Sequence, residues 1–199
     1  MLDWFFPDHC VLCRKQGAAV CRGCLTGLPP APDLAPPPGF AHFASLLSYE
    51  GDTRQLISAI KFDRKRRAID LPGRVLAKLV DWDADCVTWA PTSLGHKRKR
   101  GFDQAEVLAR IVARELGLPC VQLVERSSDS GHQTGRNRAQ RMEGVEFQSK
   151  SVSLKNKRLG SVMLIDDIRT TGATLCAAGD AVLGAGATAI SGLTLAVTP

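Results

Sequence analysis

The chain has 199 residues, of which 44% are apolar and 23% charged, so its composition is that of a globular protein and excludes intrinsic disorder. This length suits one ordinary domain with a small accessory module. No run of about eighteen apolar residues occurs, which excludes a membrane-spanning helix, and the start lacks the features of a secretory signal, so we expect a cytoplasmic protein with no membrane insertion. The net charge of +6 favours a polyanionic partner or a phosphorylated ligand.

Residues 1–28 hold four of the seven cysteines, arranged as two Cys-x-x-Cys pairs: Cys10, Cys13, Cys21 and Cys24. In a chain outside an oxidising compartment, two such pairs are typical of a structural Zn²⁺ site, in which four thiolates leave no open coordination position. The alternative is four unpaired or redox-active cysteines. The pattern predicts a small zinc finger at residues 1–28.

After a proline-rich stretch at residues 29–39, which predicts a semi-rigid linker, segments of strand and helix character alternate. Predicted strands cover residues 43–49, 86–90, 120–124, 160–165 and 187–197. Predicted helices cover residues 53–62, 72–80, 103–116 and 173–183. Thr53 and Asp103 are the expected caps of the first and third helices. This alternation predicts an α/β domain over residues 40–199, with a mostly parallel sheet covered by helices on both faces.

Two dense runs of cations stand out against this pattern. The first comprises Lys61, Arg64, Lys65, Arg66 and Arg67, and the second comprises Lys97, Arg98, Lys99 and Arg100. One interpretation is a solvated charged face, which is what most charge runs form. Another is a track for single-stranded nucleic acid, on which Phe62 and Phe102 would stack bases between the cations.

Residues 162–174 combine four apolar residues, two carboxylates and a turn of small residues before a predicted helix. Unpaired N–H groups at a helix N-terminus can bind a phosphate, and Gly172 lets the backbone approach closely. Asp166 and Asp167 can accept hydrogen bonds from a sugar diol, and ligands of open α/β sheets bind beyond the strand ends. The alternative is a surface turn in which Asp166 and Thr170 merely cap the helix, but a cap needs one such residue and not a dense set.

The pattern Asp-Asp-x-x-Thr-Thr-Gly-x-Thr at residues 166–174 resembles the phosphoribosyl pyrophosphate (PRPP) motif of type I phosphoribosyltransferases. The whole chain resembles the ComF (ComFC/GntX-like) competence-protein family, which joins an N-terminal Cys₄ zinc finger to that fold. The features that carry this resemblance are the two Cys-x-x-Cys pairs, Ile60-Lys61-Phe62, the Arg-Gly-Phe-Asp-Gln-Ala sequence of residues 100–105, Gln133-Thr134-Gly135 and the PRPP motif. Arg169 departs from the family pattern and adds a cation at the phosphate turn.

The resemblance implies a type I phosphoribosyltransferase-like domain that binds PRPP with Mg²⁺. It implies that Asp166 and Asp167 are the catalytic pair, which holds the ribose hydroxyls and helps to place Mg²⁺. It assigns the 5′-phosphate to the turn that comprises Arg169, Thr170, Thr171, Gly172, Ala173 and Thr174. The pyrophosphate would contact the cations of residues 97–100. A mobile segment that covers the site would include Arg136, Arg138 and Arg141.

Two functions are compatible with this resemblance. The one we favour is a competence-related protein that binds PRPP–Mg²⁺ and single-stranded DNA during natural transformation, beside a DNA-translocating helicase, with the cations of residues 61–67 and 136–141 as lid or DNA contacts. The alternative is an active phosphoribosyltransferase that transfers the phosphoribosyl group to an acceptor and releases pyrophosphate. Such enzymes select the acceptor through a hood. Because the chain ends two residues after the last predicted strand, a hood is expected to come from residues 25–60, where no base-reading set stands out.

Overall fold

The computed structural model describes residues 8–62, 65–127, 146–150 and 159–199. Its helices are α1 (Arg22–Thr26), α2 (Gly51–Phe62), α3 (Asp70–Ala77), α4 (Leu94–Arg100), α5 (Gln104–Leu116) and α6 (Ala173–Gly184), with a short 3₁₀ helix at Arg66–Ile69. Its strands are β1 (His42–Ser48), β2 (Cys86–Trp89), β3 (Val124–Arg126), β4 (Phe147–Ser149), β5 (Ser161–Arg169) and β6 (Ala189–Val197). Within these described ranges, no helix has the length and apolar character needed to cross a membrane.

Strands β1, β6, β5 and β2 form one parallel sheet in that order. Residues 162–165 of β5 are fully buried, because this central strand is covered on both faces. Met163 and Ile165 belong to the core cluster that α2, α3 and α5 pack, whereas Val162 and Leu164 belong to the cluster that α6 packs. The prediction of an α/β fold with a mostly parallel sheet between helices is confirmed.

Strand β5 is longer than predicted, and this changes where the two carboxylates lie. The predicted strand ended with the apolar run at residue 165, but β6 continues beside β5, with Thr194 opposite Asp166 and Val197 opposite Arg169. A parallel ladder extends as long as the neighbouring strand supplies hydrogen-bond partners. Asp166 and Asp167 are therefore held by the sheet itself and not by a loop.

The strand predicted at residues 120–124 was wrong in position. Cys120 forms an isolated parallel bridge with Val87. The Leu123 N–H then donates to the Thr88 hydroxyl (3.2 Å) and not to a backbone carbonyl, so the ladder along β2 does not extend. Strand β3 begins only at Val124 and pairs antiparallel with β4 in a separate two-stranded sheet.

Helix α4 has no counterpart among the predicted helices. None of its residues is buried, so it has no apolar stripe that periodicity could detect. Its ends do carry local signals, since the Ser93 hydroxyl accepts a hydrogen bond from the His96 N–H (3.3 Å) and Gly101 has a φ of 85°. The cap expected at Thr53 was wrong, because α2 begins at Gly51 and the Thr53 side chain is buried.

The cysteine-rich segment packs against α2. Val11, Val20 and Leu25 are buried in the same core cluster as Leu56 of α2. Gln55 Nε2 also donates to the Val11 carbonyl (3.2 Å). Burial of an aliphatic side chain of this size contributes about 1.5–3 kcal/mol, so these contacts couple the stability of the segment to that of α2.

The proline-rich segment lies along the edge of β1 that faces away from β6. The Ser48 N–H donates to the Pro29 carbonyl (2.9 Å), and the Ala31 N–H donates to the Leu46 carbonyl (3.2 Å). The chain is therefore fixed to the sheet at residues 29–31. The division into a finger at 1–28, a linker at 29–39 and a domain at 40–199 stays a prediction.

Candidate functional site

Asp166 and Asp167, the acidic pair, lie near the carboxyl end of the central strand β5 and differ in environment. Asp166 is buried, and its Oδ1 accepts a hydrogen bond from the Asp167 N–H (2.8 Å). Burial, followed by the neighbouring charge of Asp167, raises the pKa of Asp166 well above its usual range. Asp167 is partly exposed, so the pair offers one carboxylate to solvent and keeps the other beneath it.

Lys61, in the last turn of α2, forms an ion pair with the acidic pair. Its Nζ lies 2.7 Å from Asp167 Oδ2, and its side chain is 18% exposed. The Lys61 charge also favours the ionised form of Asp166, although less than burial opposes it. The sequence marked Lys61 as one cation of a run, but no local pattern connects it with Asp167. The ion pair exists because α2 and β5 end at the same edge of the fold.

The turn at residues 170–174, the phosphate turn, leads from β5 into α6. Gly172 precedes the helix with a φ of 83°, a left-handed conformation that favours glycine. The Thr171 hydroxyl accepts a hydrogen bond from the Ala173 N–H (3.3 Å), so one of the predicted hydroxyl groups contacts the first amide of α6. Thr170 and Ala173 are exposed beside it, and Thr174 is half-buried. The predicted turn is thus adjacent to the acidic pair, at the N-terminus of a twelve-residue helix.

Arg169 lies at the base of the phosphate turn. Its guanidinium carbon is 4.6 Å from the centre of the Phe43 ring, and its Nη1 donates to the Ala35 carbonyl (3.1 Å). A side chain placed at Gly172 would lie 3.5 Å from Arg169 Nε. The cation that departs from the family pattern is therefore next to the turn, held by β1 and the proline-rich segment.

Asp103 connects the loop after β2 with the start of α5. Its Oδ2 accepts a hydrogen bond from the Thr92 N–H (2.8 Å), and its Oδ1 accepts from the Ala105 and Glu106 N–H groups (3.1 and 3.3 Å). Burial raises the pKa of Asp103, although these hydrogen bonds oppose the rise. The predicted helix cap is confirmed, and the same carboxylate has a second role, because it also fixes the loop at residues 91–93.

The second cationic run lies on helix α4 and not in an extended loop. Lys97 is half exposed and pairs with Glu106 (3.2 Å). Arg100 donates to Gln104 Oε1 (2.8 Å), and its guanidinium carbon lies 5.6 Å from the centre of the Phe62 ring. These contacts direct the two cations towards α5 and the end of α2. The assignment of Lys97, Arg98, Lys99 and Arg100 to the pyrophosphate stays a prediction.

A cavity of about 220 Å³ lies beside this loop and helix. Residues that line it include Trp89, Pro91, Thr92, Lys97, Asp103 and Glu106. The acidic pair is not among its lining residues. The cavity is therefore a separate space on the α5 side of the loop after β2.

The first cationic run is only partly brought to the site. Lys61 reaches the acidic pair, whereas Arg67 Nη1 contacts Asp8 Oδ2 (3.1 Å) in the cysteine-rich segment. Lys65 and Arg66 are exposed. Arg64 and the predicted lid residues Arg136, Arg138 and Arg141 lie outside the described residues.

Four cysteines form a compact cluster, the Cys₄ cluster, whose Sγ atoms all lie within 4.8 Å of one another: Cys10, Cys13, Cys21 and Cys24. The Sγ atoms of Cys13 and Cys21 are 3.7 Å apart. Sulfurs placed tetrahedrally about 2.3 Å from a zinc ion would be about 3.8 Å apart. Burial opposes ionisation of Cys10, but backbone hydrogen bonds from Cys13, Cys21 and Leu12 outweigh it and lower its pKa to about 6. The cluster thus fits a metal ion such as zinc.

A model of the phosphoribosyl transferase domain family matches residues 103–197. The matched segment contains α5, β5, α6 and β6, and with them the acidic pair and the phosphate turn. Lys61, α4 and the Cys₄ cluster lie outside it. No curated protein matches the chain significantly.

Among solved structures, the chain is similar to the glutamine PRPP amidotransferase from B. subtilis complexed with ADP and GMP (20% identity, 70% of this chain and 30% of that chain, TM-score 0.49). It is also similar to the orotate phosphoribosyltransferase from Aeropyrum pernix (19%, 74% and 66%, TM-score 0.40) and to the adenine phosphoribosyltransferase from Thermoanaerobacter pseudethanolicus (16%, 68% and 83%, TM-score 0.43). The chain thus spans 30% of the length of the amidotransferase. Because these TM-scores are low, the fold assignment rests on the domain match and on the parallel topology. Together they show a phosphoribosyltransferase-type α/β fold.

Proposed function

We propose that this chain is a ComF-type competence protein that binds PRPP–Mg²⁺ and single-stranded DNA in the cytoplasm during natural transformation, beside a DNA-translocating helicase. The observation that supports it best is the acidic pair at the end of β5, followed directly by the phosphate turn and the N-terminus of α6. Both lie in the segment that matches the phosphoribosyl transferase domain. A sugar diol beside a phosphate on the same sugar suits this arrangement.

The acidic pair also fits Mg²⁺, a hard cation that proteins bind through one or two carboxylates together with substrate phosphates. When bound, Mg²⁺ would neutralise charge on the pyrophosphate group. The chain itself would do the rest: Asp166 and Asp167 accept hydrogen bonds from the ribose hydroxyls, and the amides and hydroxyls of the phosphate turn donate to the 5′-phosphate. Lys61 gives the acidic pair its counter-charge and places a cation beside any phosphate that enters.

Replacing Lys61 with methionine is expected to shift the pH dependence of PRPP–Mg²⁺ binding upwards. The Lys61 charge lowers the pKa of Asp166, so its removal raises that pKa, and the ionised pair becomes available only at higher pH. Isothermal titration across a pH series would measure the shift. Lys78→Met, which removes an exposed lysine just after α3, is the matched control. A Lys61 variant whose binding follows the wild-type pH profile would contradict this role.

We also propose that the Cys₄ cluster holds one Zn²⁺ in a structural role. Four thiol ligands leave no position for a substrate or a reactive water, so the ion would stabilise the fold and not take part in chemistry. The burial of Val11, Val20 and Leu25 in the same core cluster as Leu56 of α2 supports this structural role.

The second candidate function is transfer of the phosphoribosyl group. The acidic pair and phosphate turn inside the matched domain favour it as much as they favour PRPP binding alone. In such a reaction, the bond between the anomeric carbon and the pyrophosphate oxygen breaks, a bond to the acceptor forms, and pyrophosphate leaves. Assays of pyrophosphate release from PRPP–Mg²⁺, with and without nucleobases or DNA, separate the two functions.

Binding of oligo-dT is expected to weaken steeply with salt. If the cations of α4 and residues 65–66 contact phosphates, the logarithm of the association constant should fall linearly with log salt, by ~0.7 per neutralised phosphate. Titration of PRPP–Mg²⁺ and of oligo-dT by calorimetry, each at several salt concentrations, tests the whole proposal. Absence of PRPP binding would remove the sugar-phosphate site, and salt-independent or absent oligo-dT binding would remove the DNA function.

A further inference from the structure

Phe62 is the most exposed large apolar side chain in the part of the chain that the structure describes. Its exposed fraction is 62%, compared with 40% for Leu79 and 44% for Leu94. Phe102, the other aromatic residue among the cationic runs, is only partly exposed and packs against the core. Of the two rings that lie among the cations in sequence, Phe62 is therefore the more accessible to a ligand.

One side of the Phe62 ring already has a cationic partner. The guanidinium carbon of Arg100 lies 5.6 Å from the ring centre, within the range of a cation–π contact. Arg100 is held there by its hydrogen bond to Gln104 Oε1 (2.8 Å), and the Gln104 side chain is buried. The cation is thus fixed from the core, while most of the ring surface stays open to solvent.

The position of the ring relates it to the candidate PRPP site. Phe62 follows Lys61 directly, and Lys61 reaches Asp167 at 2.7 Å. The ring therefore lies at the same end of α2 as the cation that pairs with Asp167. A ligand that lies on this ring would meet the Arg100 guanidinium.

We propose that Phe62, supported by Arg100, is a stacking site for a nucleobase at the end of α2. A flat aromatic ring beside a cation suits a base that carries phosphate, because the base stacks on the ring and the phosphate meets the cation. An apolar peptide would need a wider apolar patch, whereas the ring contact that the structure gives Phe62 is with the Arg100 cation. The inference rests on the proposed function, since it identifies where the base lies relative to the PRPP site.

The base has two possible sources, a DNA strand or a free acceptor, and the experiment separates them. The probes are fluorescein-labelled oligo-dT, an abasic oligomer of the same length, and free adenine and uracil with PRPP–Mg²⁺ present. The variants are Phe62→Leu, which keeps an apolar side chain but removes the π-face, and Phe62→Tyr, which keeps the π-face. Because Phe62 is exposed, neither change should disturb folding, and Leu79→Ala controls for loss of an exposed apolar side chain elsewhere.

For a DNA strand, we expect Phe62→Leu to weaken oligo-dT binding by about 5- to 150-fold, which is the range for loss of one stacked base. Phe62→Tyr and Leu79→Ala should bind like the wild type, and the abasic oligomer should bind wild type and Phe62→Leu equally. If Phe62→Leu instead weakens binding of free adenine or uracil and leaves oligo-dT binding unchanged, the stacking site is supported and its ligand is a free acceptor base.

Equal binding of every base-containing probe to wild type and Phe62→Leu would overturn the inference, as would a wild type that binds none of them. The proposed PRPP site is tested separately. If the protein binds bases in a way that depends on Phe62 but does not bind PRPP, the stacking site is supported and the PRPP function is wrong. Conversely, PRPP binding without any effect of Phe62 would remove only the stacking site.

Discussion

Replacing Asp166 and Asp167 together with asparagine is expected to lower the affinity for PRPP–Mg²⁺ by about two to four decades while the protein stays folded. Each carboxylate would provide a charge-assisted hydrogen bond to the ribose, worth about 1.5–3 kcal/mol, and about 1.4 kcal/mol corresponds to one decade. Calorimetry of PRPP binding and thermal unfolding of the same samples would measure both quantities. Asp180→Asn, which neutralises an exposed carboxylate on α6, is the matched control.

Asp166→Asn alone is expected to separate stability from binding. Because burial raises the pKa of Asp166, the folded protein holds this proton more tightly than the unfolded chain does. The stability from the protonated form is present below the ordinary pKa near 3.8 and is lost as pH rises towards the raised folded value. Asparagine cannot ionise, so the variant should avoid that loss.

The expected result is a variant that unfolds at the same temperature as wild type or a higher one at neutral pH, with a smaller difference at acidic pH. Its PRPP affinity should nevertheless fall.

If the double variant keeps wild-type affinity for PRPP–Mg²⁺, the acidic pair is only part of a turn and the PRPP proposal is wrong. If the double variant is unfolded at room temperature, the acidic pair is needed for folding.

Replacing Cys21 with serine is expected to abolish zinc binding and open the cysteine-rich segment. Structural zinc sites supply about 10–16 kcal/mol of binding free energy to folding, more than the stability of many domains. Wild type should contain one zinc per chain, and the variant none. Cys176→Ser, at a half-buried thiol on α6 outside the Cys₄ cluster, should keep the metal.

The loss of zinc is also expected to lower the affinity of the candidate PRPP site for PRPP–Mg²⁺. Val11, Val20 and Leu25 would lose their burial in the core cluster that they share with α2, and α2 carries both Lys61 and Phe62. We therefore expect chelated protein to bind PRPP–Mg²⁺ more weakly, with faster proteolysis near the N-terminus. Metal analysis and limited proteolysis would follow both effects. Full zinc content in Cys21→Ser would contradict the metal assignment.

The parts of the site that were predicted from sequence are those whose chemistry is local. The apolar run at 162–165, the two carboxylates and the turn with Gly172 are adjacent in sequence, so one segment contains the whole pattern. The same holds for the two Cys-x-x-Cys pairs. In each case only a few residues separate the functional side chains, so the local backbone conformation brings these side chains together and the sequence alone identifies them.

The contacts that were not predicted depend on how distant segments pack. Lys61 meets Asp167 because two elements end at the same edge of the fold, and nothing near either residue signals the other. Asp103 was identified as a cap, but its bond to Thr92 depends on the path of a separate loop. Helix α4 was not predicted because hydrophobic periodicity identifies helices that have a buried face, and no residue of α4 is buried.

Residues 29–31 also determine how the sheet ends. An edge strand presents unpaired N–H and C=O groups, which can recruit a strand from another molecule and begin aggregation. Here the outer edge of β1 is bonded at Leu46 and Ser48 to the backbone of Ala31 and Pro29. Pro29 and Pro30 have no N–H to offer a further strand, so the added layer ends the hydrogen-bond ladder there. The segment that was predicted as a linker therefore also closes the last three residues of this edge to a strand from another molecule.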